Sequence, residues 1–285
     1  MRRRHGCLHS LLVLLLTALA VAGFWYFENN VVSSETYTVS SADLPAGLDG
    51  LRVAELADLH GKTFGAGSEA LLEAVRSAKP DLIALDGDIA DEHTADVSAL
   101  APLFRGLAAI APTYYVTGNH EWVMTDLPGF LQLLEKCGVT VLRNEYITLS
   151  KGGGTIALAG VDDPNGPYDK KTAAQLTAEI RAALGDSCYI LMLAHRNDEL
   201  ADWASLGVQT VLTGHGHGGI VRLPFLGGLL GVDRSFFPKY TAGTFTEGAT
   251  TMVVSRGLGV SGVNFRLFNR PDLPVIVLRR SASGG

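Results

Sequence analysis

The sequence predicts an α/β fold, and three observations carry that reading. Short apolar runs rich in Val, Leu, Ile and Tyr recur along the chain, each stops abruptly at a polar cluster, and successive runs are separated by enough residues for a helix. The plainest case is DLIALDGDIAD, residues 81–91, where an apolar run follows Lys79 and Pro80 and ends at a glycine between acids. Such a run has the length of a buried parallel strand, and Gly87 permits a sharp turn where the Asp88 carboxylate emerges. Ligands of open α/β sheets bind at these carboxyl ends. Taken alone, the stretch reads equally well as a solvated turn carrying acids.

Four further runs end in side chains able to hold a metal: residues 51–57 lead to Asp58 and His60, 113–117 to Asn119 and His120, 189–194 to His195, and 208–213 to His215 and His217. Five strand ends are therefore expected to converge on one rim. Each residue has a plainer reading: His60, His215 and His217 as exposed loop histidines, His195 as a capping or core histidine, Asn119 as an ordinary turn residue.

The blocks D-x-H, G-D-x-x-D, G-N-H-E, H and G-H-x-H, present here in that order, resemble those of the calcineurin-like metallophosphoesterases. The likeness runs from about Leu51 to Leu278, and the tail block SRGLGVSGVNFRLFNRP is similar to the membrane-associated bacterial branch. It implies a four-layer α/β/β/α sandwich, where periodicity alone supports only α/β. It also implies two divalent metal ions sharing Asp88: a first site of Asp58, His60, Asp88 and His217, and a second of Asp88, Asn119, His195 and His215. Mixed imidazole and carboxylate ligands suit Mn, Fe or Zn, and a bridging carboxylate holds two ions about 3.5 to 4 Å apart. Such a pair acidifies water and clamps phosphoryl oxygens. The resemblance makes His120 the general acid, with Asp91 fixing its other ring nitrogen. Asp86 and Glu121 fall outside the ligand pattern and are read as structural, and His5, His9 and His93 as leader or solvent-facing residues. Ala57 and Gly216 depart from the family pattern without removing a ligand, Gly216 being expected to loosen the loop that carries His215 and His217.

Ahead of these blocks, three arginines precede an almost wholly apolar segment. Residues 7–27 as a helix reach about 30 Å, enough for a hydrocarbon core. Arg2 to Arg4 before it and Glu28 after it predict a cytoplasmic amino terminus and an extracytoplasmic remainder at the cell membrane. The rival reading is a cleaved signal peptide, since small residues at 18–22 resemble cleavage sites. Residues 1–28 are thus read as anchor or signal segment, 29–46 as tether and edge strand, and 47–285 as one phosphoesterase domain. The eight tether residues 28–35 would keep the rim within about 28 Å of the bilayer.

Beyond the leader the chain carries 20 basic and 28 acidic residues, a net of −8, which argues against nucleic acid as partner. Three cysteines make a disulfide framework improbable; Cys137 and Cys188 read as buried thiols whose pairing is left open. Helices are expected at about 68–78 with Ser68 as cap, 96–110, 127–137 and 172–184, and strands at 139–149 and 155–161 joined by a Gly-rich turn. Downstream of the last histidines, Phe225, Leu226, Leu229, Leu230, Phe236 and Phe237 form either a flap toward acyl chains or the membrane, or a cap on the core.

The function expected is a membrane-tethered, dinuclear-metal phosphoester hydrolase acting on a phosphodiester, phosphomonoester or diphosphate bond of an envelope lipid or glycolipid. The alternatives are a non-catalytic metal-binding scaffold, or a nucleotide or protein phosphatase using the same rim.

Overall fold

The computed structural model describes residues 2–167, 170–261 and 265–282, with side chains from residue 9 onward. The side chains of Arg2, Arg3, Arg4, His5 and Cys7, part of the tail block (262–264) and the last three residues therefore lie outside the description.

Helix α1 (Arg2–Asn30) passes directly into strand β1 (Ser33–Ser41). The first half of the domain then alternates as the sequence predicts: β2 (Arg52–Leu56), α2 (Glu69–Ala78), β3 (Leu82–Asp86), α3 (Ala101–Ile110), β4 (Thr113–Val116), α4 (Leu127–Lys136) and β5 (Val139–Val141). The second half comprises β6 (Glu145–Lys151), β7 (Gly154–Gly160), α5 (Ala173–Leu184), β8 (Ile190–Leu193), α6 (Leu200–Ser205) and β9 (Thr210–Thr213). A small hairpin of β10 (Arg222–Leu223) and β11 (Gly227–Gly228) follows, then β12 (Gly243–Glu247), β13 (Thr250–Val254) and β14 (Asp272–Arg280).

These strands build two six-stranded sheets, ordered β1-β14-β2-β3-β4-β5 and β12-β13-β9-β8-β7-β6. The centre of each is parallel, as expected where helices cross over between strands. Apolar side chains fill three layers. Leu71, Val75, Phe104, Leu107, Phe130 and Leu134 pack α2, α3 and α4 onto the outer face of the first sheet. Val53, Leu82, Ala84, Val116, Leu158, Leu191, Leu212 and Val253 interleave between the sheets. Leu176, Ile180, Leu200 and Trp203 cover the second sheet from outside. The architecture is a four-layer α/β/β/α sandwich.

Local chemistry accounts for the helix ends. Thr172 Oγ1 accepts from Gln175 N at 3.2 Å while Gln175 Oε1 accepts from Thr172 N at 2.9 Å, a reciprocal capping box on α5. Ser68 does not cap α2: it sits in left-handed backbone (φ 61°), and its Oγ accepts instead from Phe64 N at 3.3 Å.

Two further expectations are corrected, and the cysteine pairing left open above is answered with both cysteines buried as expected. The strand read over 139–149 is two strands, β5 in the first sheet and β6 in the second, because the chain crosses between sheets at Asn144, a left-handed residue (φ 58°). Cys137 lies in the layer outside the first sheet and Cys188 outside the second, so both sheets separate these two free thiols. The stretch after α1 is no slack tether, since Glu28 and Asn29 are buried in the domain and β1 pairs along its length with β14.

Candidate metal centre

Every candidate side chain leaves the carboxyl end of a central parallel strand: Asp58 and His60 after β2, Asp88 after β3, Asn119 and His120 after β4, His195 after β8, His215 and His217 after β9. The loops that deliver them are strained. Asp58, His60, Asp88, His215 and His217 all have φ between 47° and 64°, a region that residues with a Cβ avoid at a cost of order 1–3 kcal/mol each and that clusters at functional sites. Interlocking backbone bonds hold the arrangement, with Asp58 N donating to Gly87 O at 3.0 Å and His60 N to Asp88 O at 2.9 Å. Gly87 is required twice over: its φ is 75°, and a Cβ there would stand 2.5 Å from His195 Nδ1.

The loops bring the predicted residues into adjoining groups. Potential ligand atoms of Asp58, His60 and His217 lie within 4.8 Å of one another, as do those of Asp88, His195 and His215, and those of His60, Asp91 and His120. Asp88 stands between the groups, its Oδ2 being 3.0 Å from His195 Nε2 and 4.0 Å from His60 Nε2. Asp58 Oδ1 is 3.8 Å from His217 Nε2 and 3.9 Å from His195 Nε2.

The donor set fits cations on the criterion of buried polar atoms. Asp58 Oδ2, His60 Nε2 and Asn119 Oδ1 are buried with no hydrogen-bond partner, while Asp88 Oδ2 and His195 Nε2 pair with each other at 3.0 Å. Buried lone pairs left open in this way are costly unless a positive ligand satisfies them.

Electrostatics agree. Burial works against ionising Asp88, yet the neighbouring His195, His60 and His120 outweigh it and hold the carboxyl well below the usual range. Burial likewise disfavours charge on His195, but the Asp88 and Asp58 carboxylates raise its basicity well above normal, so the potential at the centre is negative. Burial, reinforced by His195 and Arg196, lowers His215 to about 3, and burial with His60 depresses His217; both imidazoles are neutral, the form that ligates a metal.

Around the centre lie residues that orient it. His195 Nδ1 donates to Asp86 O at 2.8 Å, which leaves Nε2 facing the carboxylates. His60 Nδ1 lies 3.1 Å from Asp91 Oδ2. Here the sequence expectation is corrected. Asp91 lies beside His120, their ligand atoms within 4.8 Å, but is not hydrogen-bonded to it: its Oδ1 is taken by Thr94 Oγ1 and His93 N within its own turn, and its Oδ2 turns to His60. The longer side chain of Glu92 partners His120 Nδ1 instead, at 3.0 Å.

A Cβ at Gly216 would stand 2.5 Å from Asn197 Nδ2, so a side chain there would have to displace the Asn197 amide. Asn197 in turn donates to Tyr240 O, and Asn269 Nδ2 holds His217 O at 2.8 Å.

Sequence reasoning missed Glu92, Arg196, Arg266 and Asn269. Arg196 donates through Nε and Nη2 to Asp163 and places Nη1 3.0 Å from His215 Nε2. Its position beside His195 was the one available signal. Two cavities flank the centre. One, about 250 Å³, is lined by His215, Asn197, Asp233, Lys239 and Tyr240. The other, about 310 Å³, is lined by His195, Arg196, Lys170 and Trp203. His93 is exposed, as expected.

Residues 51–219 match the calcineurin-like phosphoesterase family. The uncharacterized metallophosphoesterase YkuE of Bacillus subtilis (strain 168) is 29% identical over 261 residues, covering 89% of this chain and 88% of its own. A transmembrane protein with metallophosphoesterase domain from Bos taurus is 29% identical across 95% of this chain and 62% of its own. Among solved structures, the NAD nucleotidase of Haemophilus influenzae aligns over 73% of this chain and 45% of its own, with TM-score 0.48 and 18% identity.

Proposed function

The chain belongs to the calcineurin-like phosphoesterase family of metal-dependent phosphoester hydrolases, and from that membership we propose a membrane-tethered enzyme with a dinuclear centre, acting on an envelope lipid or glycolipid. In this reading Asp58, His60, Asp88 and His217 hold one divalent ion, and Asp88, Asn119, His195 and His215 the other. The ions are Mn, Fe or Zn, whichever the cell supplies to a nitrogen and oxygen site. The observation that carries the proposal is the meeting of Asp58, His60 and His217 beside Asp88, His195 and His215, the ligand atoms of each group lying within 4.8 Å of one another, with Asp58 Oδ2 and His60 Nε2 buried and unpartnered.

When bound, the metals supply an acidified water and charge stabilisation for the phosphoryl group. The chain supplies the rest. Asp91 orients the His60 ring, and Asp86 O orients that of His195, so that each presents Nε2 inward. His120, at the rim and partly open to solvent, is the general acid. Glu92 accepts from its Nδ1 and steadies the imidazolium, which leaves the Nε2 proton for the departing oxygen. A scaffold that merely bound metal would need neither His120 nor that carboxylate.

Membrane tethering is supported by α1, whose residues from His9 to Asn30 form a helix long and apolar enough to cross a bilayer. Basic residues ahead of it favour an inside amino terminus and an extracytoplasmic domain. The bond cleaved is a phosphodiester, phosphomonoester or diphosphate.

The test is to purify the full chain in detergent, measure bound metal, and screen a phosphoester panel beside Asp88→Asn and His120→Asn. Asp88→Asn is expected to lose both metal and turnover. His120→Asn is expected to keep metal and lose turnover. Undiminished activity of Asp88→Asn sinks the reading.

A further inference from the structure

Three exposed phenylalanines, Phe225, Phe237 and Phe268, are held in left-handed backbone (φ 68°, 52° and 52°). A bulky side chain in that region is strained, and a strained aromatic presented to water gains nothing from its position. Phe225 is fully exposed at 106%, and Leu226 beside it is 68% exposed. They form the tip of the β10–β11 hairpin and share a surface hollow with Phe268.

The location of that tip is fixed relative to α1. Glu28 and Asn29, directly after the apolar run, are 6% and 0% exposed. Asn29 Nδ2 donates to Arg266 O at 3.2 Å, its Oδ1 accepts from Arg266 N at 2.7 Å, and Glu28 Oε2 accepts from Asn269 N at 3.2 Å. The Arg270 guanidinium stacks 4.3 Å over the Phe27 ring and donates to Val31 O and Val32 O. The helix therefore enters the domain without slack. Phe268 then packs edge-on against Phe24, ring centroids 5.9 Å apart. Phe24 lies three residues inside the end of the apolar run, roughly 4.5 Å along the axis. The loop that carries Phe268 thus reaches back beside the segment that enters the membrane. The hairpin is tied to that loop through Arg222 N and Leu267 O at 3.0 Å.

We propose that Phe225, Leu226 and Phe268 are seated in the interfacial layer of the bilayer that α1 enters, so that the domain rests on the membrane at two points. The inference rests on the tethering reading above. A lipid surface, rather than a second copy of this chain, is the occupant because the patch is continuous with the apolar helix through the contact of Phe268 with Phe24. Exposed aromatic and aliphatic tips suit the interfacial layer of a bilayer. Phe236 and Phe237, 73% and 55% exposed on the segment that follows β11 and bonded back to it through Phe237 N and Leu229 O, extend the contact. The loop that carries His215 and His217 runs directly into β10, so the seated hairpin and the candidate centre belong to one continuous segment.

The test uses the full chain in phosphatidylcholine/phosphatidylglycerol vesicles, with an environment-sensitive fluorophore at Phe225→Cys in a Cys7→Ser background; Cys137 and Cys188 are buried. A label at Glu73→Cys, on exposed α2 surface, is the aqueous control. The Phe225 label should emit to the blue of the control. Nitroxide lipids should quench it severalfold more strongly, and iodide severalfold less. Quenching equal to the control overturns the proposal, as does a blue shift that disappears on dilution with excess lipid, which would mark self-association. Carbonate extraction of the same vesicles, and Mn-dependent hydrolysis of bis(p-nitrophenyl) phosphate, report separately on anchoring and on the phosphoesterase reading. Release by carbonate overturns the tethering reading and this inference together, whereas a retained chain with an aqueous label overturns this inference alone.

Discussion

The buried carboxylate of Glu121 accepts a hydrogen bond from the backbone N–H of Asp88 at 3.0 Å, and the same oxygen accepts from Gly118 N at 2.8 Å while its twin accepts from Ile89 N at 2.7 Å. One side chain thereby ties the loop after β3 to the loop after β4 and aims the carboxylate between the two donor groups. Glu121→Gln would replace one acceptor oxygen by an NH2 facing backbone donors. Leaving a buried backbone donor without its acceptor in this way costs about 1–3 kcal/mol. The urea midpoint should fall accordingly, and Mn titration should show weaker binding. A variant with wild-type midpoint and affinity would leave Glu121 without this role.

His120 and its neighbours separate two roles that the sequence assigned to one pair. His120→Ala should lower kcat by about 10²- to 10⁴-fold while bound metal is unchanged. Glu92→Gln should lower kcat by a smaller factor, again with metal retained, because only the orientation of the acid is affected. Asp91→Asn should act differently and reduce metal content, since its partner is His60. Metal analysis beside steady-state kinetics checks all three. Metal lost from Glu92→Gln and retained in Asp91→Asn would reverse the assignment.

How far the sequence disclosed this site follows from what each signal depends on. The five strand ends were legible because each apolar run terminates at a side chain with a spare lone pair, and both features are local. The four layers needed the family resemblance, since a run such as Leu82–Asp86 is buried in either of several α/β arrangements. The partner of His120 was not legible. Asp91 and Glu92 are adjacent acids, and only the turn closed by Thr94 decides which one points where. Glu28 at the end of an apolar helix reads as a solvent-facing charge, and its burial depends on the 266–270 loop, 241 residues away from it at Asn269. Long β14 also went undelineated, because Pro274 interrupts its pattern just before pairing with β2 begins at Val275.

The same distant loop supports His217. Asn269 Nδ2 donates to His217 O at 2.8 Å and to Ile220 O at 3.0 Å. Asn269→Ala would leave these carbonyls without that donor, at about 1–3 kcal/mol for the buried one. The cost should appear in metal affinity as well as in stability, because His217 has a strained backbone (φ 47°) that this bond helps to hold. Isothermal titration with Mn should show weaker binding to the variant than to the wild type. Equal affinity would mean that the loop keeps its shape without Asn269.

A last prediction concerns pH and lies beside the centre rather than in it. Burial, with Asp198 and Asp202 adding repulsion, raises the Glu199 carboxyl to about 7. An acid raised in the folded state costs nothing below its ordinary value of 4.5, where it is protonated folded or unfolded. The stability present there is lost progressively as pH rises toward 7, because the unfolded chain ionises freely and the folded chain does not. Glu199→Gln removes that penalty. It should leave the urea midpoint near wild type at pH 4.5 and raise it at pH 8, by about 1 kcal/mol once the partial exposure of the group is allowed for. Urea titrations at the two pH values decide the matter, and a gain that is the same at both would show that packing of the amide, and not the charge, is responsible.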